Sequence, residues 1–389
     1  MNPKRAALAI VAFVSCFLAA GQETGKGSLF GKVLGMISKP SLSYDSTAIY
    51  QPAPHWRVAV SGNLRQAGVS QRNEFTYGSA MMDSHGNVVE AFSPAYTYSE
   101  LQGGVDKTIG LNVGYGNLSL GYNQKVGGIR KNVNKSLSFD YMANGAALQL
   151  QYFDFRQPIK YDMRIGNKDD WFFYQDSGET DNPGRMRAFI ADVLYSFNNR
   201  TFAYSAVYKG NKIQRHSAGT WMFGAKYIQG MVENDPGEDL SSYVGGMARQ
   251  TSRQISFGGG FSYNLVSYHR QPSEDGWKGF RNITLNLTAV PMVTLFNQFS
   301  SIMYELGPDG KYQEGTNNTM NGKLLVNYVV RAGAIYSWDN YYASLTASYD
   351  SYSYKGKSSV EYEGELYDNV ISSGRFSRWT AGFQFCMKF

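Results

Sequence analysis

The side chains able to do chemistry are few and lie apart. Four histidines, His55, His85, His216 and His269, fall in predicted loops or at strand ends, and none pairs with another at metal-ligand spacing. No Gly-x-Ser-x-Gly stands on a strand-to-helix turn, so an α/β-hydrolase nucleophile elbow is not predicted. No residue is assigned a catalytic, cofactor-binding or metal-binding role. A hydrolase built into a barrel wall would instead gather Ser, His and an acid or amide on adjacent strands. The chain's many serines and its histidines leave that chemistry open. Two acidic stretches carry oxygen ligands: Glu233, Asp235, Glu238 and Asp239, and then Asp176, Glu179 and Asp181. Such groups suit Ca²⁺, but neither stretch follows the EF-hand spacing, and a solvated loop is the simpler assignment. Lys168-Asp169-Asp170 precedes Trp171, Phe172, Phe173 and Tyr174. That run offers a sugar-stacking or lipid-headgroup patch, although an interfacial aromatic belt explains it with less.

What the chain repeats is a period of two. Ile283, Leu285, Leu287 and Ala289 alternate with Asn282, Thr284, Asn286 and Thr288. Tyr341, Ala343, Leu345, Ala347 and Tyr349 oppose Tyr342, Ser344, Thr346, Ser348 and Asp350. Similar alternation begins at Trp56, Leu118, Leu148, Ile255 and Leu324. Alternation of this kind predicts strands with one apolar face and one polar face. The polar face is built from Ser, Thr, Asn, Gln and Gly, whereas a soluble sandwich would lean on Lys and Glu. A small, mostly uncharged face suits a hydrated lumen, with the apolar face against lipid. Asn282, Thr284, Asn286, Thr288, Ser344 and Thr346 are the lumen-facing candidates. In lipid every backbone group must be paired, so such strands must close on themselves.

Tyr115-Gly116-Asn117, Ala143-Asn144-Gly145, Asn198-Asn199-Arg200 and Trp338-Asp339-Asn340 read as tight turns. Between them, stretches 66–100, 157–185, 232–251, 297–321 and 355–373 read as long polar loops. Short turns on one side and long loops on the other are the layout of an outer-membrane barrel. The pattern yields about 13 candidate strands, an odd number that single-chain bacterial barrels usually avoid. The predicted fold is therefore all-β: a single transmembrane antiparallel up-and-down β-barrel of about 12 strands, with 14 as the alternative, closed between its N-terminal and C-terminal strands.

The N-terminus predicts export. Lys4 and Arg5 precede an apolar run from Ala6 to Ala20, and Ala19-Ala20-Gly21 offers small residues for cleavage. That is the layout of a signal peptide over residues 1–21. Residues 22–54 form a periplasmic lead-in, in which Leu29, Phe30, Val33, Leu34, Met36 and Ile37 recur at helical spacing. Residues 55–389 form the barrel. Of the two cysteines, Cys16 leaves with the signal peptide, so Cys386 has no intramolecular partner. The net charge of +6, reduced to +4 once Lys4 and Arg5 leave, carries no Lys/Arg block and excludes a nucleic-acid footprint.

The last ten residues carry a resemblance. Thr380, Gly382, Phe385, Met387 and Phe389 sit as in the C-terminal assembly signal of bacterial outer-membrane barrels, where alternating hydrophobics lead to a terminal Phe. Tyr44-Asp45-Ser46-Thr47-Ala48-Ile49-Tyr50, followed by Trp56, resembles the opening of a Gram-negative outer-membrane family known as domain of unknown function 4421. Gly258-Gly259-Gly260-Phe261-Ser262-Tyr263-Asn264 also resembles that family. The resemblance implies an outer-membrane barrel with no established activity and no catalytic residues to carry over. The expected function is a pore or transport role for small polar solutes, without a cofactor. The alternatives are a lipid-modifying enzyme or a structural anchor in an envelope complex. The expected partners are outer-membrane lipid and the barrel-assembly machinery.

Overall fold

The computed structural model describes residues 44–389, apart from 52–55, 83–87, 104, 127–134, 144, 158, 168–171, 180–183, 234–246, 271–278, 307, 309–310, 323–324 and 363–364. The signal peptide, most of the lead-in and residues 234–239 of the first acidic stretch lie outside the described residues, as do residues 180–181 of the second. The unit described below is Asp45–Phe389.

Its elements are β1 (Ile49–Tyr50), β2 (Trp56–Met82), β3 (Val88–Gly103), β4 (Asp106–Tyr115), β5 (Leu118–Lys125), β6 (Lys135–Met142), β7 (Ala146–Gln157), β8 (Ile159–Asn167), β9 (Phe172–Glu179) and β10 (Gly184–Ser196). A four-residue helix α1 (Ser205–Tyr208) follows, then β11 (Ile213–Gln214), β12 (Ala218–Glu233), β13 (Met247–Arg270), β14 (Arg281–Leu306), β15 (Tyr312–Asn321), β16 (Leu325–Trp338), β17 (Tyr341–Tyr362) and β18 (Glu365–Lys388). No helix among the described residues is long and apolar enough to cross a membrane.

Twelve strands close a ring in the order β2, β4, β5, β6, β7, β10, β12, β13, β14, β16, β17, β18, and β18 returns to β2. Every junction is antiparallel, and the closing seam runs from Lys388↔Arg57 to Ile371↔Glu74. Phe389 and Trp56 extend that seam. The Phe389 N–H donates to the Trp56 carbonyl at 3.1 Å, and the Trp56 N–H returns a bond at 3.2 Å. Closure removes the exposed edges that an open sheet would present to lipid. Gly116 at φ 54° and Asp339 at φ 43° occupy the left-handed conformations that tight hairpin turns demand. These turns define one end of the barrel, the turn end.

The period of two sorts residues by face. Val326, Leu295 and Leu287 point outward and are 66%, 64% and 59% exposed, in a belt that continues through Leu111, Leu120, Phe223 and Leu345. A contiguous apolar surface of this extent has no place in water, and it meets lipid. Aromatic rings border it. At the turn end Trp56 lies 5.0 Å from Tyr115, Tyr336 lies 5.0 Å from Trp338, and Trp338 lies 5.9 Å from Phe385. Farther up, Tyr328 pairs with Tyr349 at 5.8 Å. Tyr328 and Tyr336 lie on one strand, separated by roughly 27 Å along it, or about 20 Å across a bilayer at the usual tilt. That matches an apolar band with a girdle on each side.

Two expectations are corrected. Stretches 66–100, 157–185, 297–321 and 355–373 are mostly strand rather than loop. β2 runs for 27 residues and β14 for 26, and about 90 Å of strand overshoots any bilayer. β3, β8, β9 and β15 add to this projecting wall, through pairings β2–β3–β8–β9 and β14–β15. Above the lipid no apolar face is required, so alternation fades while backbone pairing continues. Phe172, Phe173 and Tyr174 fall on β9, outside the ring strands. The second correction concerns Asn198-Asn199-Arg200. These residues do not close a tight hairpin; they open a connection, residues 197–217, that folds into the barrel.

Candidate functional site

The in-folded connection turns inward because its side chains are apolar. Phe202, Ala203, Val207 and Ile213 are fully or almost fully buried. Phe202 and Tyr204 pack with Leu194, Met222, Val290 and Met292 of the wall, and Val207 packs with Ala59, Ile335, Tyr342 and Cys386. Its backbone polar groups are satisfied from the wall. The Asn264 amide donates to the Ala203 carbonyl at 3.0 Å, and the Asn282 amide to the Gln214 carbonyl at 3.0 Å. Asn211 donates to the carbonyls of Gly116 and Met142, which fixes it against two turns. The Tyr208 hydroxyl donates to Asn286 Oδ1 at 2.7 Å, and Lys209 Nζ to Asp140 Oδ2 at 2.6 Å. Burial pushes the Tyr204 and Tyr208 hydroxyls up and the Lys212 amine down to about 8.

The N-terminal strand is stitched to this connection. β1 pairs with β11 through Ile49↔Gln214 and Tyr50↔Ile213. Arg215 donates from its backbone to Ala48 and from Nη1 to Ser46, and its guanidinium lies 5.0 Å from the Tyr50 ring. The Asp45 carboxylate accepts from the Thr47 N–H at 2.8 Å and the Thr47 hydroxyl at 2.6 Å, which holds it below the usual carboxylate range. The Tyr-Asp-Ser-Thr opening is thus a turn that presents β1 to the in-folded connection.

Above the connection, a charged network crosses the lumen. Lys226 of β12 donates to Asp350 Oδ1 of β17 at 2.6 Å and lies 3.8 Å from Asp192 of β10. Arg331 of β16 bonds Asp192, donates to Gln149 of β7 at 2.6 Å, and donates to the Tyr204 hydroxyl at 2.9 Å. Arg378 of β18 donates to Asp350 Oδ2 at 2.6 Å and to Gln151 of β7 at 3.2 Å. β7 and β18 lie on opposite sides of the ring, so these bonds span it. Charges this buried persist only when paired.

Toward the other end lies an apolar layer of Val69, Phe153, Met186, Ile190, Ile228, Tyr352 and Phe376. Its members also come from opposite walls. Between this layer and the in-folded connection is a polar chamber of about 210 Å³. Ser61, Asn63, Asn123, Ser136, Thr346 and Thr380 supply hydroxyls and amides to it, and Arg65, Lys209, Arg331 and Arg378 supply cations.

The predicted residues divide between two places. Asn282, Thr284, Asn286 and Thr288 are buried and lie beside the in-folded connection. They bond one another, with Thr284 donating to Asn282 at 2.8 Å and Thr288 to Asn286 at 2.9 Å. Thr346, Thr380 and Gly382 line the chamber, and Ser344 is buried. Phe385, Met387 and Phe389 are exposed on the outer face. His216 and His269 sit near the turn end, where His269 Nδ1 lies 3.2 Å from the Asn282 amide. No metal-binding group of His, Cys, Asp and Glu occurs among the described residues. The polar face was expected to be mostly uncharged, and the network corrects that. Its signal was present in the sequence: Asp192 between Ala191 and Val193, and Arg331 between Val330 and Ala332, are charges at inward positions of strands.

A model of the family described as domain of unknown function (DUF4421) matches residues 91–371. The chain belongs to that family. The match covers the in-folded connection and the network residues Gln149, Asp192, Lys226, Arg331 and Asp350, while Arg378 lies beyond it. Among solved structures, the chain is similar to the outer membrane protease OmpT from Escherichia coli, at 10% identity over 86% of this chain and 97% of that one, with a TM-score of 0.29. It is similar to the P. putida toluene transporter TodX at 8% identity over 90% and 96%, with a TM-score of 0.18. A Pseudomonas aeruginosa FadL homologue matches at 8% over 86% and 90%, with a TM-score of 0.19. No curated protein matches the chain. The antiparallel register of this chain's closed ring, not these likenesses, establishes the fold.

Proposed function

We propose that this family member is an outer-membrane barrel acting as a gated passage for small polar solutes, held closed in the state described. The observation that carries this is the polar chamber bounded by two closures of different chemistry. On the turn side the closure is the connection over residues 197–217, seated by the Asn282–Thr288 face. On the other side it is the apolar layer around Tyr352 and Phe376. Apolar constrictions gate by excluding water. A continuously open pore would present a wet, uncrossed lumen, and here side chains meet across it. The exposed apolar belt, the export-like N-terminus and the terminal Phe389 support the outer membrane as the location, with the assembly signal at Thr380–Phe389 engaging the assembly machinery.

Uptake of a neutral sugar into proteoliposomes tests the passage. Wild-type barrels should admit little. Barrels with residues 202–212 replaced by a short Gly-Ser link, and with Tyr352→Ser and Phe376→Ser, should admit it. Correctly folded variants that remain tight would reject the passage. A second use, as an envelope scaffold, is favoured by the wall of β2, β3, β8 and β9 that projects beyond the apolar band. Cross-linking of β9 to an envelope protein in intact cells would support it.

A further inference from the structure

The chamber's charges are already committed. Lys209 binds Asp140 at 2.6 Å, Arg378 binds Asp350 at 2.6 Å, Arg331 binds Asp192, and Arg65 stands opposite Asp106 in the strand register. An ion entering the chamber would have to displace one of these partners, and breaking a buried pair is costly. The groups left to meet a solute are neutral. Thr346, Ser348, Thr380 and Gln384 line the chamber, and their side chains have no hydrogen-bond partner among the described residues. Ser348 lies opposite Thr380, Thr346 opposite Gly382 and Ser344 opposite Gln384 across β17 and β18, so these groups form one patch. Gly382 leaves a recess in it, where a Cβ would come within 2.5 Å of Asn63 Oδ1. The adjoining wall is held by its own bonds. Asn123 accepts from Asn63 at 3.0 Å and donates to Ser136 at 3.2 Å, and Asn112 donates to Ser61 at 3.1 Å.

We propose that the chamber is a binding site for a neutral polyhydroxy solute of monosaccharide size. Three observations point the same way. The first is donor chemistry. Each hydroxyl of Thr346, Ser348 and Thr380 and the amide of Gln384 both donates and accepts, as does each hydroxyl of a sugar, so the patch can answer either role without a net charge. The second is the pair of rings that line the chamber. Phe153 belongs to the apolar layer and Tyr208 to the in-folded connection, and both contribute to the lining. A sugar has apolar C–H faces as well as hydroxyls, and aromatic rings supply surface for those faces. A bare ion has no use for them. The third is size. A chamber of about 210 Å³ has room for about seven waters at about 30 Å³ each, which suits a single sugar ring and excludes an oligosaccharide. This deepens the passage reading by naming the class of solute. It rests on that reading for transport only, because occupancy of the chamber is measurable without it.

Equilibrium dialysis of the full-length barrel, in a detergent that carries no sugar, against radiolabelled D-glucose, D-galactose and D-xylose tests the site. The expected result is saturable binding of at least one of these sugars, to a limit of one per barrel. Excess inorganic phosphate should not displace it. Thr346→Val combined with Thr380→Val deletes two hydroxyls, keeps both branched side chains and removes no member of the charged network. This double variant should raise the dissociation constant about tenfold or more, while heat-modifiable migration stays that of a folded barrel. No saturable binding of any of the three sugars, displacement by phosphate, or unchanged binding in the folded double variant would overturn the proposal. Dialysis also separates the two claims. Barrels that bind sugar but pass none keep the site and lose the passage; barrels that pass sugar without saturable binding do the reverse.

Discussion

Asn286 of β14 accepts a hydrogen bond from the Tyr208 hydroxyl at 2.7 Å. One residue belongs to the wall and the other to the helix turn folded inside it, so this bond measures how firmly the closure is seated. Asn286 is also tied to Ser262, Asn264 and Thr288 at 3.0, 2.7 and 2.9 Å. Tyr208→Phe therefore removes one bond and leaves the seat intact, at a cost of about 1 kcal/mol. Asn286→Ala dismantles the seat and costs more, on the order of 2–3 kcal/mol. Hydrogen-exchange protection of residues 205–212 should fall modestly in the first and strongly in the second. Equal protection in both variants would contradict the seat.

Asp350 binds Lys226 and Arg378 together. Asp350→Asn leaves both cations in the lumen with one partner fewer, and breaking a buried pair in this way costs about 3–5 kcal/mol. Adding Lys226→Met should recover part of that loss. The temperature at which the barrel loses its compact gel migration should drop in the single variant and rise again in the double. A single variant as resistant as wild type would show that the network carries no stability.

Lys212 is 2% exposed, and burial sets its amine at about 8 instead of 10.5. The folded value lies below the unfolded one, so the docked connection binds fewer protons than the released one. Docking therefore strengthens as pH rises from about 8 toward 10.5 and is weaker near pH 7. Protection factors for residues 205–212 should increase between pH 7 and 9.5. In Lys212→Met they should stay level, and a slope surviving that change would place the titrating group elsewhere.

Gly258, Gly259 and Gly260 are adjacent but not equivalent. A Cβ on Gly260 would meet the Ala289 carbonyl oxygen at 2.1 Å, and one on Gly258 would meet the Pro291 oxygen at 2.0 Å. A Cβ on Gly259 would meet nothing closer than the Met222 oxygen at 3.7 Å. Backbone cannot yield cheaply, so Gly260→Ala should lower barrel stability by roughly 1–3 kcal/mol, the range for overpacked sites. Gly259→Ala should be near neutral. Unfolding from lipid vesicles in guanidinium separates the two, and matched midpoints would contradict the close approach.

Phe389 ends the seam on Trp56. Its deletion removes the final backbone pair and the terminal aromatic together. Export should be unaffected while assembled, heat-modifiable barrel in the outer membrane falls several-fold. Normal assembly without Phe389 would remove it from the signal.

The ring was readable from sequence because lipid enforces alternation. Leu285, Leu287, Asn286 and Thr288 each obey it, and no other partner choice buries the right face. The projecting wall was not readable, because β3 and β8 lie beyond the lipid and need no apolar face. The closure was hidden for a different reason. Asn198-Asn199 looks like a hairpin turn, and only the greasy Phe202, Tyr204 and Val207 that follow hint that the chain turns inward. Asp192 and Arg331 were visible as charges in strands, yet their meeting depends on ring geometry that no local pattern encodes.

Single-channel recording in planar bilayers bears most directly on whether the lumen is a closed passage. The wild-type barrel should show no steady conductance. The barrel lacking residues 202–212 and carrying Tyr352→Ser and Phe376→Ser should show stepwise openings. A wild type that conducts continuously, or an opened variant that is folded and silent, would contradict it.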